Sequence, residues 1–167
     1  NEHIKNLEAL VNEYRNGIIR NKAIDHVLMG ESVLILFKNI AHGEKIYNLI
    51  SQAIGKERVA LVDGSTEIEE REKIFDKVRN GEIRVLIGST IADTGLSISN
   101  LSTLILAGGG KSSIKAFQRI GRVLRLSPGK TKATVYDFTD FTPILKKHSD
   151  MRKELYKLES EWKINNI

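Results

Sequence analysis

The sequence predicts an α/β protein: a parallel β-sheet with helices on both faces, three layers in an α-β-α arrangement. Two observations carry that expectation. Five apolar runs of strand length, at 32–37, 58–62, 84–88, 103–107 and 132–138, are separated by segments whose apolar residues recur at helical spacing. The runs are also continuous rather than alternating, as in SVLILF at 32–37, which is the pattern of a strand buried on both faces. Strand and helix in alternation favour parallel neighbours joined by crossovers. Ligands of such sheets bind beyond the carboxyl ends of the strands, so the chemistry is expected just after Phe37, Val62, Gly88 and Ala107.

The elements follow in order. Ile4, Leu7, Leu10, Val11 and Tyr14 predict a helix over 3–15, which Asn16-Gly17 is expected to end. A second short helix runs over 19–29 and stops at Gly30. After the strand at 32–37, a helix over 42–54 places Ile46, Leu49, Ile50, Ala53 and Ile54 on one face and ends at Gly55. Thr66 to Glu69 reads as a capping box that opens a helix to Arg79, with Ile68, Ile74, Phe75 and Val78 inward and Asn80-Gly81 as its stop. Thr142-Pro143 reads as the start of a last helix, with Leu145, Met151, Leu155, Leu158 and Trp162 along it. This gives a helical lead-in over 1–30, a core over 31–140 and a C-terminal helix over 141–167. No repeat or linker interrupts them.

Composition narrows the chemistry. With 167 residues, 41% hydrophobic and 28% charged, the chain suits one globular domain. A net charge of +5 favours a polyanionic partner. There is no cysteine, which excludes disulfides and thiolate metal sites, and the four histidines lack ligand spacing. No apolar run is long enough to span a membrane as a helix and no signal peptide opens the chain, so an intracellular setting is expected, cytoplasmic or, in a eukaryote, nuclear. Opening on Asn1 rather than Met, the chain reads as a piece of a longer polypeptide.

The most informative stretch is 102–126, STLILAGGGKSSIKAFQRIGRVLRL: a strand, a three-glycine turn and a helix. At 100° per residue, Gln118, Gly121, Arg122 and Arg125 share one side of that helix, and Phe117, Ile120, Val123 and Leu124 the other. Solvated arginines would be the ordinary reading. Against it, a mid-helix glycine costs about 1 kcal/mol relative to alanine, so Gly121 points to a close backbone approach. Two guanidinium groups one turn apart also suit phosphate oxygens.

QRIGRVLR at 118–125 resembles motif VI of superfamily 2 helicases, Q-x-x-G-R-x-x-R. Other segments resemble further motifs of that family in the right order. KNIAHG at 38–43 resembles motif IV; GSTEIEER at 64–71 resembles the run that precedes motif V; STIADTGLSI at 89–98 resembles motif V, with Ser97 where many members carry Asp. Over about 30–140 the chain is thus identified as a second, C-terminal RecA-like domain, most similar to UvsW-type phage helicases and their XPB-like relatives.

The resemblance implies specific roles. Arg122 and Arg125 would reach the γ-phosphate of ATP, with Gln118 orienting them or the attacking water. Gly95, Ser97 and Gly121 would lie against the nucleotide. Lys38, Gly64, Ser65, Ser89 and Thr90 would contact nucleic acid, DNA favoured over RNA. The 167 residues contain neither a Walker A motif nor a DEAD/DExH-type acidic motif, so ATP and Mg²⁺ would be held mainly by a first RecA-like domain of the same polypeptide, and this chain alone would be inactive. Two alternatives stay open. GGGKS at 108–112 superficially suggests a self-contained P-loop protein with Lys111 and Ser112 on the phosphates, although the Walker pattern needs glycine where Ile105 stands. The other is a RecA-like module used only for protein interaction.

Overall fold

The computed structural model describes residues 2–89, 98, 100–108, 133–138, 150, 151, 154 and 162–166. The chain opens with helix α1 (Glu2–Leu28) and enters strand β1 (Ser32–Leu36) through Met29-Gly30. Helix α2 (Ile40–Ile54) and a 3-10 turn (Lys56–Arg58) lead to β2 (Val59–Val62), and helix α3 (Ile68–Arg79) leads to β3 (Val85–Gly88). Strands β4 (Leu101–Leu106), β5 (Ala133–Asp137) and β6 (Trp162–Asn166) follow. The six strands form one sheet in the order β2-β3-β1-β4-β5-β6, with every pairing parallel.

The two-residue pleat sorts the apolar runs onto two cores. Leu34, Leu36, Leu86, Leu104, Leu106 and Val135 join Phe75 and Val78 of α3 on one face. Val33, Ile35, Ile87, Ile105 and Tyr136 join Ile19 and Ala23 of α1 and Ile46 and Ile50 of α2 on the other. Since helices cover both faces, no strand position needs to be polar, which is why the runs are continuous.

Five local expectations are corrected. α1 does not stop at Asn16-Gly17 but runs unbroken through both. Asn16 is buried there, and its Oδ1 takes a hydrogen bond of 2.6 Å from His42 Nε2; this tertiary partner overrides the local turn signal. The capping box at Thr66 does not form, because α3 begins at Ile68 and the Thr66 hydroxyl instead accepts the Asp63 N–H at 3.0 Å. Ile68, in the first turn, is therefore 75% exposed rather than inward, and Ala53 on α2 is also exposed. Finally, Trp162 lies not on a helix but in β6, where it pairs with Ala133. Helical structure in the C-terminal region is described at Asp150, Met151 and Glu154.

A buried polar cluster pins α1 to the sheet. His26 Nδ1 lies 2.5 Å from Glu31 Oε2, and since a carboxylate only accepts, the ring N–H donates. The Thr103 hydroxyl donates to the same carboxylate oxygen at 3.0 Å. His26 Nε2 pairs with the Tyr136 hydroxyl at 2.7 Å, the two rings meeting edge-on at 69°. Four residues from α1, the following turn, β4 and β5 thus satisfy one another inside the core.

Candidate nucleic-acid interface

Because every strand runs the same way, all the carboxyl ends meet at one edge. Along β2-β3-β1-β4 they release the chain at Asp63, Ser89, Phe37-Lys38 and Ala107-Gly108. Neighbouring strands lie about 4.8 Å apart, so four of them present a row about 15 Å long. Backbone bonds continue past the strand ends and fix the row. Ser89 N–H donates to Val62 O at 3.2 Å, Phe37 N–H to Gly88 O at 3.1 Å, and Ala107 and Gly108 N–H to Leu36 O at 2.8 and 3.2 Å. Of the nucleic-acid residues expected from sequence, Lys38, Gly64 and Ser65 are exposed on this edge and Ser89 is half-buried. The structure brings these four together.

The turn after β2 is locally built. Asp63 Oδ1 accepts from the Ser65 N–H at 2.7 Å and from the Ser65 hydroxyl at 2.5 Å. These two bonds, hydroxyl first, hold the Asp63 carboxyl below the usual carboxylate range, with Thr66 and Arg71 adding smaller contributions against a slight desolvation. Ser65 therefore spends both of its donors on Asp63. It shapes the turn, while the exposed Gly64 backbone lies at its tip. Arg71, on α3, turns back and donates to the carbonyls of Asp63 and Thr66 at 3.3 Å each. Nothing in its spacing revealed this, because the acceptors are backbone atoms.

The start of α2 forms the other wall. Asn39 caps the helix, its Oδ1 accepting the Ala41 N–H at 2.9 Å, which leaves Lys38 exposed just outside the first turn. His42 bonds Asn16 of α1, and Arg15 beside it sits 5.0 Å over the Phe138 ring at the end of β5. Sequence periodicity missed Asn16, since the expected helix stop fell on it.

Burial lowers the His42 pKa below its ordinary value, and the nearby charges of Arg15 and Lys45 lower it further. The sign is definite. Below about pH 6.5 the unfolded chain binds a proton on His42 that the folded chain refuses. Stability is therefore complete above that pH and falls as the pH drops toward the folded-state pKa. Urea unfolding at pH 7.5 and 5.5 should show this loss in the wild type and a smaller one in His42→Gln; equal losses would refute it.

Thr90, Gly95, Ser97, Gln118, Gly121, Arg122 and Arg125 lie outside the described residues, as do Lys111 and Ser112. The described ends of β3 and β4, Ser89 and Gly108, are where the chain departs toward them. Among the described residues no group of three or more His, Asp or Glu could hold a metal ion, and no helix is long and apolar enough to cross a membrane.

Comparison with known proteins agrees with this fold. The family described as "Helicase conserved C-terminal domain" matches residues 15–127. The ATP-dependent DNA helicase uvsW of Enterobacteria phage T4 is 34% identical over 154 residues, 92% of this chain and 30% of that protein. The DNA 3'-5' translocase XPB2 of Sulfurisphaera tokodaii is 37% identical over 67 residues, 40% of this chain and 15% of that protein. The crystal structure of T4 UvsW superposes with a TM-score of 0.72 at 30% identity, covering 99% of this chain and 36% of that one. The chain thus spans about a third or less of these relatives. Its sheet and its two helical layers are of the RecA-like α/β kind.

Proposed function

Because this chain belongs to the helicase conserved C-terminal domain family, we propose that it is the second motor domain of an ATP-dependent DNA helicase or translocase. The row of Gly64, Ser65, Ser89 and Lys38 on one sheet edge carries the reading. A lysine, exposed backbone at a turn and a serine suit the phosphates of a single strand, whose recognition by such groups tolerates sequence. DNA is favoured over RNA because the T4 relative is a DNA helicase by name.

ATP and Mg²⁺ are assigned to the first domain. Ile105, within β4, stands where a Walker loop needs glycine, and the 167 residues contain no DEAD/DExH-type acidic motif. The part of this chain in turnover is then to present Arg122 and Arg125 to the transferring phosphoryl group across the domain cleft, with Gln118 orienting them, Thr90 on the nucleic-acid backbone, and Gly95, Ser97 and Gly121 against the nucleotide. The proposed units are the lead-in over 1–30, the core over 31–140 and the segment over 141–167.

The test uses the full 167-residue chain. It should bind oligo-dT weakly, with affinity falling steeply as salt rises, and hydrolyse no ATP above background. Tight, salt-insensitive, base-specific binding would refute the proposed interface. Steady-state ATP turnover abolished by Lys111→Ala would replace this reading with a self-contained P-loop.

A further inference from the structure

Gly108 is the residue at which β4 hands the chain on toward the arginine-bearing segment, and it touches the proposed DNA-binding loop backbone to backbone. Its N–H, like that of Ala107, donates to the Leu36 carbonyl, two residues before Lys38. A Cβ built on Gly108 would lie 2.9 Å from the Lys38 nitrogen and 3.0 Å from the Lys38 Cβ. The first contact is shorter than real Cβ atoms make and the second is tighter than almost all of them, and the nearest atom is backbone rather than the end of a flexible side chain. Any other residue at 108 would have to displace either the Lys38 loop or the backbone at 108 itself. The two segments are thus in register only while position 108 is bare.

We propose that Gly108 is a positioning residue that sets the Lys38 loop against DNA and couples its position to the end of β4, from which the chain continues in sequence toward Gln118, Arg122 and Arg125. This rests on the reading of the carboxyl edge as a DNA interface. The contact is a rigid one, with no side chain between the two backbones, so a displacement of the Lys38 loop on binding a phosphate is passed to Gly108. In the opposite direction, a shift of Gly108 moves Lys38 on or off the phosphate.

Oligo-dT binding to the full chain, followed by fluorescence anisotropy across a salt series, tests the proposal with Lys38→Ala, Gly108→Ala and the double variant. Removing one phosphate contact to a single strand makes the slope of log K against log salt shallower by about 0.7. Lys38→Ala should show that change with a several-fold loss of affinity. Gly108→Ala should reproduce it although the lysine is still present, and the double variant should bind no worse than either single one. A glycine that mattered only for packing would lower the melting temperature and leave the slope alone.

Wild-type slope and affinity in Gly108→Ala, with Lys38→Ala impaired, would overturn the coupling and leave the interface standing. Losses that multiply in the double variant would do the same. If Lys38→Ala itself changes neither slope nor affinity, the interface fails at Lys38 and the proposal fails with it. Should Gly108→Ala not fold, amide NMR of the wild type decides. The Gly108 amide should shift with that of Lys38 as oligo-dT is added, and a responding Lys38 beside a silent Gly108 would refute the coupling.

Discussion

Arg122→Ala and Arg125→Ala, each in the complete enzyme, are expected to lower the DNA-stimulated kcat at least about a hundredfold, with DNA affinity and folding near normal. The split follows from where the charge develops. Guanidinium groups that meet the transferring phosphoryl stabilise the transition state more than the bound ground state, so their loss appears in turnover rather than in binding. At helical spacing Arg119 would stand about 60° to 120° from the other two, so Arg119→Ala serves as the control. Lysine at 122 or 125 should rescue poorly, because a point charge does not reproduce the planar fork. ATPase activity near wild type in both alanine variants would reduce this helix face to solvated arginines.

The second large effect is expected in stability. His26→Ala removes the ring that joins Glu31 to Tyr136 inside the core, leaving the Tyr136 hydroxyl without that partner and a cavity where the imidazole stood. Together these should cost about 2–4 kcal/mol, lowering the melting temperature by roughly 5–15 °C in a domain of this size. Tyr136→Phe keeps the packing and removes one partner, so it should cost about 1–3 kcal/mol. Urea denaturation of the two variants checks the order. A His26→Ala effect below that of Tyr136→Phe would show that the cluster does not hold α1 as described.

The sequence made the sheet legible because its strands are buried on both faces: Val33 and Leu34 point oppositely and both are fully buried. It made the carboxyl edge legible for the same reason, since a parallel sheet puts all strand exits on one side. What it hid was tertiary. Asn16-Gly17 carries a local stop signal, yet Asn16 is claimed by His42, twenty-six residues away. Thr66 has the chemistry of a helix cap, but the Asp63 N–H claims its hydroxyl, and α3 starts without a side-chain cap. Trp162 continues a helical apolar spacing in sequence, while the exposed edge of β5 offers it backbone pairing instead. Arg71 could not be assigned from spacing because its acceptors are carbonyl oxygens, which every residue has.

The strand order also bears on how the molecule is made. β1 lies at the centre of the sheet, but Val33 pairs with Val85 on one side and Thr103 on the other, and among the described residues every strand pairing is parallel. The central strand therefore leaves the ribosome with neither neighbour yet synthesised. At about 5–20 residues per second, several seconds pass before β4 can close its second edge. During that interval SVLILF is an open, mostly apolar edge in the nascent chain, and loop-closure entropy makes its native pairings slow to form. Helices α1 and α2, which flank β1 in sequence and pack on one of its faces, are the elements available to cover it while the rest is being made.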